Sequence, residues 1–195
     1  VFMYEYMSCD VIEAAHGRAP AVATGVKRVL PDRVVFAYQG DGDLASIGTA
    51  EIVHAAARGE NITVIFINNT TYGMTGGQMG PTTMIGQKAT TCKMGRDPHV
   101  NGYPIRVCEM LATLDGPSYL ERVAPTSAAG LVKMKKAIKK AFQNQIDGKG
   151  FSMVEILSNC PQQWHMSPID SFKYIDENLA KVFPPGVFVD RNNAD

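Results

Sequence analysis

The sequence predicts an α/β fold of three layers, α/β/α, built on a mainly parallel sheet. Short β-branched and aromatic runs alternate with helical patterns along the chain. The strand-like runs are apolar along their whole length, as strands covered on both faces must be. The 195 residues, 45% of them hydrophobic, suffice for one ordinary globular core.

Taken in order, the first strand is RVVFAY at 33–38. An Ala-rich helix over 44–58 follows, with Gly59 as its C-terminal cap. The second strand is ITVIFIN at 62–68, the third SYLERVA at 118–124. A helix over 127–145 carries Leu131, Val132, Met134, Ile138 and Phe142 as an apolar stripe, and its KMKKAIKK lysines read as a solvated face. The fourth strand is FSMVEIL at 151–157, and a last helix starts at Ser167-Pro168 and runs towards Leu179. Residues 70–103, rich in Gly, Thr and Pro, lack periodicity. A loop of that length inside a domain is usually functional. The whole, 1–195, reads as one domain with an extension from about 160.

Lys+Arg and Asp+Glu balance at 19 each, which leaves no electrostatic case for nucleic acid or an anionic membrane. No apolar run approaches the length of a membrane span, no signal peptide is visible, and the expected location is cytoplasmic. Cys9, Cys92, Cys108 and Cys160 are scattered with no CxxC pair, and are expected to be reduced thiols. The chain opens on Val1-Phe2 rather than Met, which reads as an N-terminally truncated product.

The chemistry centres on Gly40-Asp41-Gly42, where a strand breaks and a helix begins. Gly40-x-Gly42-x-x-Ala45 fits a dinucleotide fingerprint, yet the next strand ends in Asn68-Asn69 rather than in the acid that would hold a ribose. A carboxylate beside a pyrophosphate repels it unless a cation lies between them. With Mg²⁺ present the sign inverts, and carboxylate and diphosphate oxygens become ligands of one ion. The second strand end supplies the companions, an Asn side-chain oxygen and a loop carbonyl.

Gly40-Asp41-Gly42 and Asn68-Asn69, separated by residues 43–67, resemble the motif of thiamine diphosphate enzymes. The resemblance implies the thiamine diphosphate-binding fold, with Mg²⁺ on Asp41, Asn69 and the carbonyl of Thr71. HGRAPAVATGVK at 16–27, GDGDLASIG at 40–48, NNTTYGMTGGQMGPTT at 68–83 and FPPGVFVD at 183–190 narrow it further. Together they resemble the beta subunit of 2-oxoacid:ferredoxin oxidoreductases, nearest the branched-chain (2-oxoisovalerate) type.

That resemblance implies diphosphate contacts from Gly42, Asp43, Gly73 and Met74, with Thr75 and Gln78 either adding contacts or simply forming a turn. It places His16 at the cofactor as a catalytic and binding residue. Arg18 beside it is a candidate to pair with an acid, and His54, His99 and His165 receive no role. The implied reaction is oxidative decarboxylation of a 2-oxoacid, 3-methyl-2-oxobutanoate first among candidates, to acyl-CoA and CO₂. Coenzyme A takes the acyl group and ferredoxin the electrons. The implied partners are an alpha subunit completing the thiamine site, a gamma subunit, and ferredoxin-like subunits. Family members ligate a [4Fe–4S] cluster through cysteines, and Cys160 matches the last of these. The other three would precede Val1. Two rival readings keep parts of this picture: a non-oxidative thiamine diphosphate decarboxylase or synthase, and a dinucleotide-binding module.

Overall fold

A computed structural model describes residues 5–191, so the first and last four residues of the predicted domain lie outside it. Its centre is a five-stranded sheet. The strands are β1 (Phe36–Gly40), β2 (Thr63–Asn68), β5 (Pro117–Val123), β6 (Phe151–Leu157) and β7 (Gly186–Asp190). Their spatial order is β1-β2-β6-β5-β7. The first four are parallel, and β7 closes the sheet antiparallel to β5.

The helices α1 (Ala19–Val29), α2 (Thr49–Ala57) and α4 (Val107–Ala112) cover one face, and α5 (Ala128–Ile146) covers the other. The strands bury both of their faces. Val64 and Phe66 of β2 enter the core under α2 and α4, while Ile65 between them enters the core under α5. Successive strand side chains point to opposite faces, so a strand covered twice must be apolar throughout. Each fully buried side chain of this size contributes roughly 1.5–3 kcal/mol. A third cluster, Met84, Leu157, Ile175, Leu179 and Phe183, packs under the C-terminal helices.

Several boundaries differ from expectation for identifiable reasons. The first strand begins at Phe36 rather than at 33: Gln145 of α5 takes the Val35 N–H at 2.6 Å and shares the Val35 carbonyl, at 2.7 Å, with the Thr63 N–H of β2 at 3.3 Å. The helix predicted over 44–58 is broken: a π-helical turn, Asp43–Ile47, precedes α2 at Gly48. Gly59 does end α2, at φ +60. Ser127 caps α5 by accepting from Gly130 N–H at 3.1 Å. On α5, Met134, Ile138 and Phe142 pack inward, but Leu131 and Val132 are exposed, and Lys133, Lys135, Lys136 and Lys139 face solvent. The last helix is split into α7 (Pro168–Tyr174), a π-helical turn Ile175–Leu179, and α8 (Ala180–Val182).

Residues 70–103 are not structureless. They hold a hairpin of β3 (Thr71–Tyr72) and β4 (Gln78–Met79), bridges at Ile85–Arg96 and Ala89–Cys92, and the short helix α3 (Pro98–Asn101). Arg96, 6% exposed, holds this segment together. Its guanidinium donates to the carbonyls of Pro81, Thr83, Asn101, Gly102 and Tyr103 at 2.7–3.2 Å. The four cysteines are free, and among the described residues no helix is long and apolar enough to cross a membrane.

Candidate functional site

Parallel strands present their carboxyl ends together, and neighbouring β1, β2 and β6 do so here. The turn after β1 carries Asp41, Gly42 and Asp43. The segment after β2, running through β3 into its hairpin turn, carries Asn69, Thr71, Gly73, Met74 and Thr75. The turn after β6 carries Cys160, just ahead of the short helix α6 (Pro161–Trp164). Three segments distant in sequence thus meet at the carboxyl ends of neighbouring strands.

Asp41 is 3% exposed. Its Oδ1 accepts from Gly42 N–H at 2.8 Å and its Oδ2 from the Thr82 hydroxyl at 2.6 Å. Burial pushes its carboxyl up to about 6, although those bonds and backbone N–H groups including that of Thr71 favour the charged form. None of the ion pairs among the described residues reaches Asp41. No described Lys, Arg or His side chain neutralises this buried carboxylate.

Asn69 and Thr71 stand beside it. Asn69 Oδ1 accepts from Thr71 N–H at 3.2 Å, an Asx turn that brings the Asn oxygen and the Thr71 backbone together. A Cβ built on Gly80 would lie 3.7 Å from the Thr71 carbonyl carbon and 3.8 Å from Asp41 Oδ2, so these groups border one space. Among the described residues no group of three or more His, Cys, Asp or Glu side chains converges. A cation here would rest on one carboxylate, one carboxamide and one carbonyl, leaving room for the cofactor's own oxygens. Hard oxygen donors of that kind fit Mg²⁺.

Gly42 is held by sterics. A Cβ there would meet Tyr72 Cε1 at 2.1 Å, so the β3 ring packs directly onto the turn. Asp43 lies just behind. Its Oδ1 accepts from Gly17 N–H at 2.6 Å and bonds His16 Nδ1 at 2.7 Å, and its Oδ2 accepts from Gln39 Nε2 at 2.6 Å. Asp43 therefore fastens the segment before α1 to the end of β1, and only its backbone remains to face a diphosphate. His16 keeps 85% of its side chain exposed. Arg18 does pair with an acid, Glu51.

Farther along the loop, Met74 is 76% exposed, and Thr75 and Gln78 bond one another through side chain and backbone, forming the turn that their spacing allowed. Cys160 sits against Gly73: a Cβ on that glycine would stand 3.4 Å from Cys160 Sγ, and Gln163 Nε2 donates to the Gly73 carbonyl at 3.0 Å. Cys160 alone cannot hold an iron–sulfur cluster, and the described residues offer it no companions. His54 and His99 take no part in the site, and His165 ends α6 at φ +54.

Sequence reasoning overlooked Thr82, Gln39, Tyr72 and Arg96. Tyr72, Thr82 and Arg96 lie in the segment singled out for its length, but no spacing rule pairs Thr82 with Asp41.

A parallel sheet bearing a buried carboxylate turn beside an amide-rich turn defines a cofactor-binding α/β domain whose site opens at its strand ends. Residues 3–156 match the family described as Thiamine pyrophosphate enzyme, C-terminal TPP binding domain, and the chain belongs to that family. It is 48% identical over 192 residues to the ketoisovalerate oxidoreductase subunit VorA of Methanothermobacter thermautotrophicus, a match covering 98% of this chain and 40% of that protein. It is 39% identical over 178 residues to the 2-oxoglutarate synthase subunit KorB of Methanocaldococcus jannaschii, covering 89% of this chain and 62% of that one. Among solved structures, a 2-oxoglutarate:ferredoxin oxidoreductase from Magnetococcus marinus, with 2-oxoglutarate, coenzyme A and succinyl-CoA bound, superposes with a TM-score of 0.70 at 27% identity. That match covers 90% of this chain and 62% of the other. The chain therefore spans between about two fifths and three fifths of these relatives' length.

Proposed function

We propose that this chain is the thiamine diphosphate-binding part of a ferredoxin-dependent 2-oxoacid oxidoreductase and holds the cofactor's diphosphate through Mg²⁺. The observation that carries the reading is Asp41: a buried carboxylate that no described basic side chain pairs, at the strand end adjoining Asn69 and Thr71. In this assignment Asp41 Oδ2, Asn69 Oδ1 and the Thr71 carbonyl hold the ion. Backbone groups of Gly42, Asp43, Gly73, Met74 and Thr75 border the diphosphate.

When bound, thiamine diphosphate supplies the nucleophilic carbon and the electron sink that decarboxylation of a 2-oxoacid requires. The chain's own work is to neutralise the diphosphate, orient it and keep water away. Arg96 serves the last task by fixing the 80–103 segment beside the site. His16, exposed and anchored through Nδ1 to Asp43, is positioned to offer Nε2 to a phosphate or substrate oxygen. The substrate favoured is 3-methyl-2-oxobutanoate, on the identity to ketoisovalerate oxidoreductase subunits. Partner subunits would complete the thiamine site, and the electrons would leave to ferredoxin by a cluster whose ligands the described residues do not complete.

The test is calorimetric titration of the chain, in its native assembly, with thiamine diphosphate in the presence and absence of Mg²⁺, and with Asp41→Ala. Binding that needs Mg²⁺ and vanishes with the substitution is the expected result. Equal binding without Mg²⁺ would sink the reading.

A further inference from the structure

Directly beneath the turn after β2, charged side chains run through the interior of the sheet. Arg122 of β5 and Glu155 of β6 are both fully buried, and Arg122 Nε lies 2.8 Å from Glu155 Oε2. The guanidinium also donates to both oxygens of Glu109 on α4, at 3.0 and 2.6 Å, and stacks near the rings of Phe183 and Phe188. The other Glu155 oxygen accepts from Asn68 Nδ2 at 2.8 Å. Asn68 Oδ1 in turn accepts from Thr70 N–H at 3.2 Å, and Thr70 adopts the left-handed conformation at φ +61. The Thr70 carbonyl accepts from the Thr83 hydroxyl at 2.6 Å, and its own hydroxyl accepts from Gln87 Nε2 at 2.7 Å.

A buried ion pair is a poor way to stabilise a sheet, since apolar residues of similar volume serve as well or better. What the pair does that apolar residues cannot is impose direction on a hydrogen bond. A carboxylate paired with an arginine offers acceptors only, so it admits the NH₂ side of Asn68 and rejects the oxygen side. With the amide held that way, Oδ1 must face Thr70 N–H. A flipped amide would set oxygen against carboxylate and leave a buried N–H unpaired. A non-glycine residue at positive φ persists only where its surroundings hold it there.

We propose that Glu155, paired with Arg122, is a positioning residue for the metal-ligand turn, acting through Asn68 on Thr70 to place the Asn69 side-chain oxygen and the Thr71 carbonyl. The proposal rests on the reading of those two groups as Mg²⁺ ligands, and its test separates the two. Three variants of the complete chain in its native assembly are compared with wild type: Asn68→Ala, Glu155→Gln, and the apolar pair Arg122→Met with Glu155→Leu. Amide hydrogen exchange at Thr70 and Thr71 is followed without cofactor, and Mg²⁺-dependent thiamine diphosphate affinity is measured alongside.

All three variants are expected to speed exchange at Thr70 at least about tenfold, and to weaken Mg²⁺-dependent affinity about 10–100-fold, the usual effect of removing a group that orients a metal ligand. The apolar pair is expected to do so while its far-ultraviolet circular dichroism and the amide exchange of β1 stay at wild-type values, which a loss of the fold could not produce. Wild-type exchange at Thr70 in the folded apolar pair or in Asn68→Ala would overturn the proposal, whatever the affinity. Faster exchange in variants of a wild type that ignores Mg²⁺ would support the positioning and reject the metal reading instead.

Discussion

The hydroxyl of Thr82 donates to Asp41 Oδ2 at 2.6 Å, joining positions 41 residues apart. The bond ties the far side of the long loop to the carboxylate on which the candidate metal site depends. It also offsets part of the cost of burying that carboxylate, a cost that burial itself imposes on the charged form.

That cost has a sign that can be measured. Asp41 is raised from 3.8 to about 6, so its contribution to stability is complete below pH 3.8 and is lost as pH rises through about 6. Without cofactor, the chain should lose about 3 kcal/mol from this group between pH 3.8 and pH 7, at 1.36 kcal/mol per unit. Asp41→Asn keeps a partner for Thr82 and removes the charge. Urea unfolding of the cofactor-free protein should find the variant more stable at pH 7 and little different near pH 4, while it no longer responds to Mg²⁺. A variant less stable than wild type at pH 7 would contradict this.

Gly42 and Tyr72 should behave as one unit. Gly42→Ala places a methyl 2.1 Å from the ring, and overpacking of this kind costs about 1–3 kcal/mol. Tyr72→Ala alone should also destabilise, but the double variant should recover part of the loss. A coupling energy of about 1 kcal/mol or more in calorimetric melting is expected, against near zero for independent sites.

Arg96→Met should unstitch the long loop and leave the sheet intact. Each carbonyl that loses its donor while still buried costs about 1–3 kcal/mol, and lysine cannot reach five of them at once. Limited proteolysis should cut within 80–103 in Arg96→Met and Arg96→Lys and spare wild type. An unchanged digestion pattern would mean that the guanidinium is not what holds the segment.

His16→Ala should separate binding from stability. The side chain is 85% exposed, so the melting temperature should move by an amount equivalent to about 0.5 kcal/mol at most. Mg²⁺-dependent cofactor affinity should nevertheless fall about tenfold, the loss of one hydrogen bond to a charged group. A binding isotherm superimposable on wild type would remove His16 from the site.

The order of strands and helices was readable because both faces of this sheet are covered, and covered strands leave unbroken apolar runs such as TVIFIN. What escaped was short or conditional. The strand β7 is held in place by pairing with β5, and β3 and β4 have two residues each, too few for any period. Just ahead of β1, the N–H of Val35 is taken by Gln145, 110 residues away. The paired turns were legible because Asp41 sets a negative charge in a phosphate-loop pattern and Asn68-Asn69 stand where that pattern expects an acid.

By itself, the sequence determined the α/β layering, the carboxylate turn and the amide turn, since each rests on local residue types and short spacings. Only the tertiary structure decided how these groups are held: Thr82 on Asp41, Asp43 committed to His16, Gly17 and Gln39, and Glu155 beneath Asn68. Hydrogen bonds between distant segments depend on distances of a few tenths of an ångström. Those distances come into being only when strands far apart in the chain pack side by side.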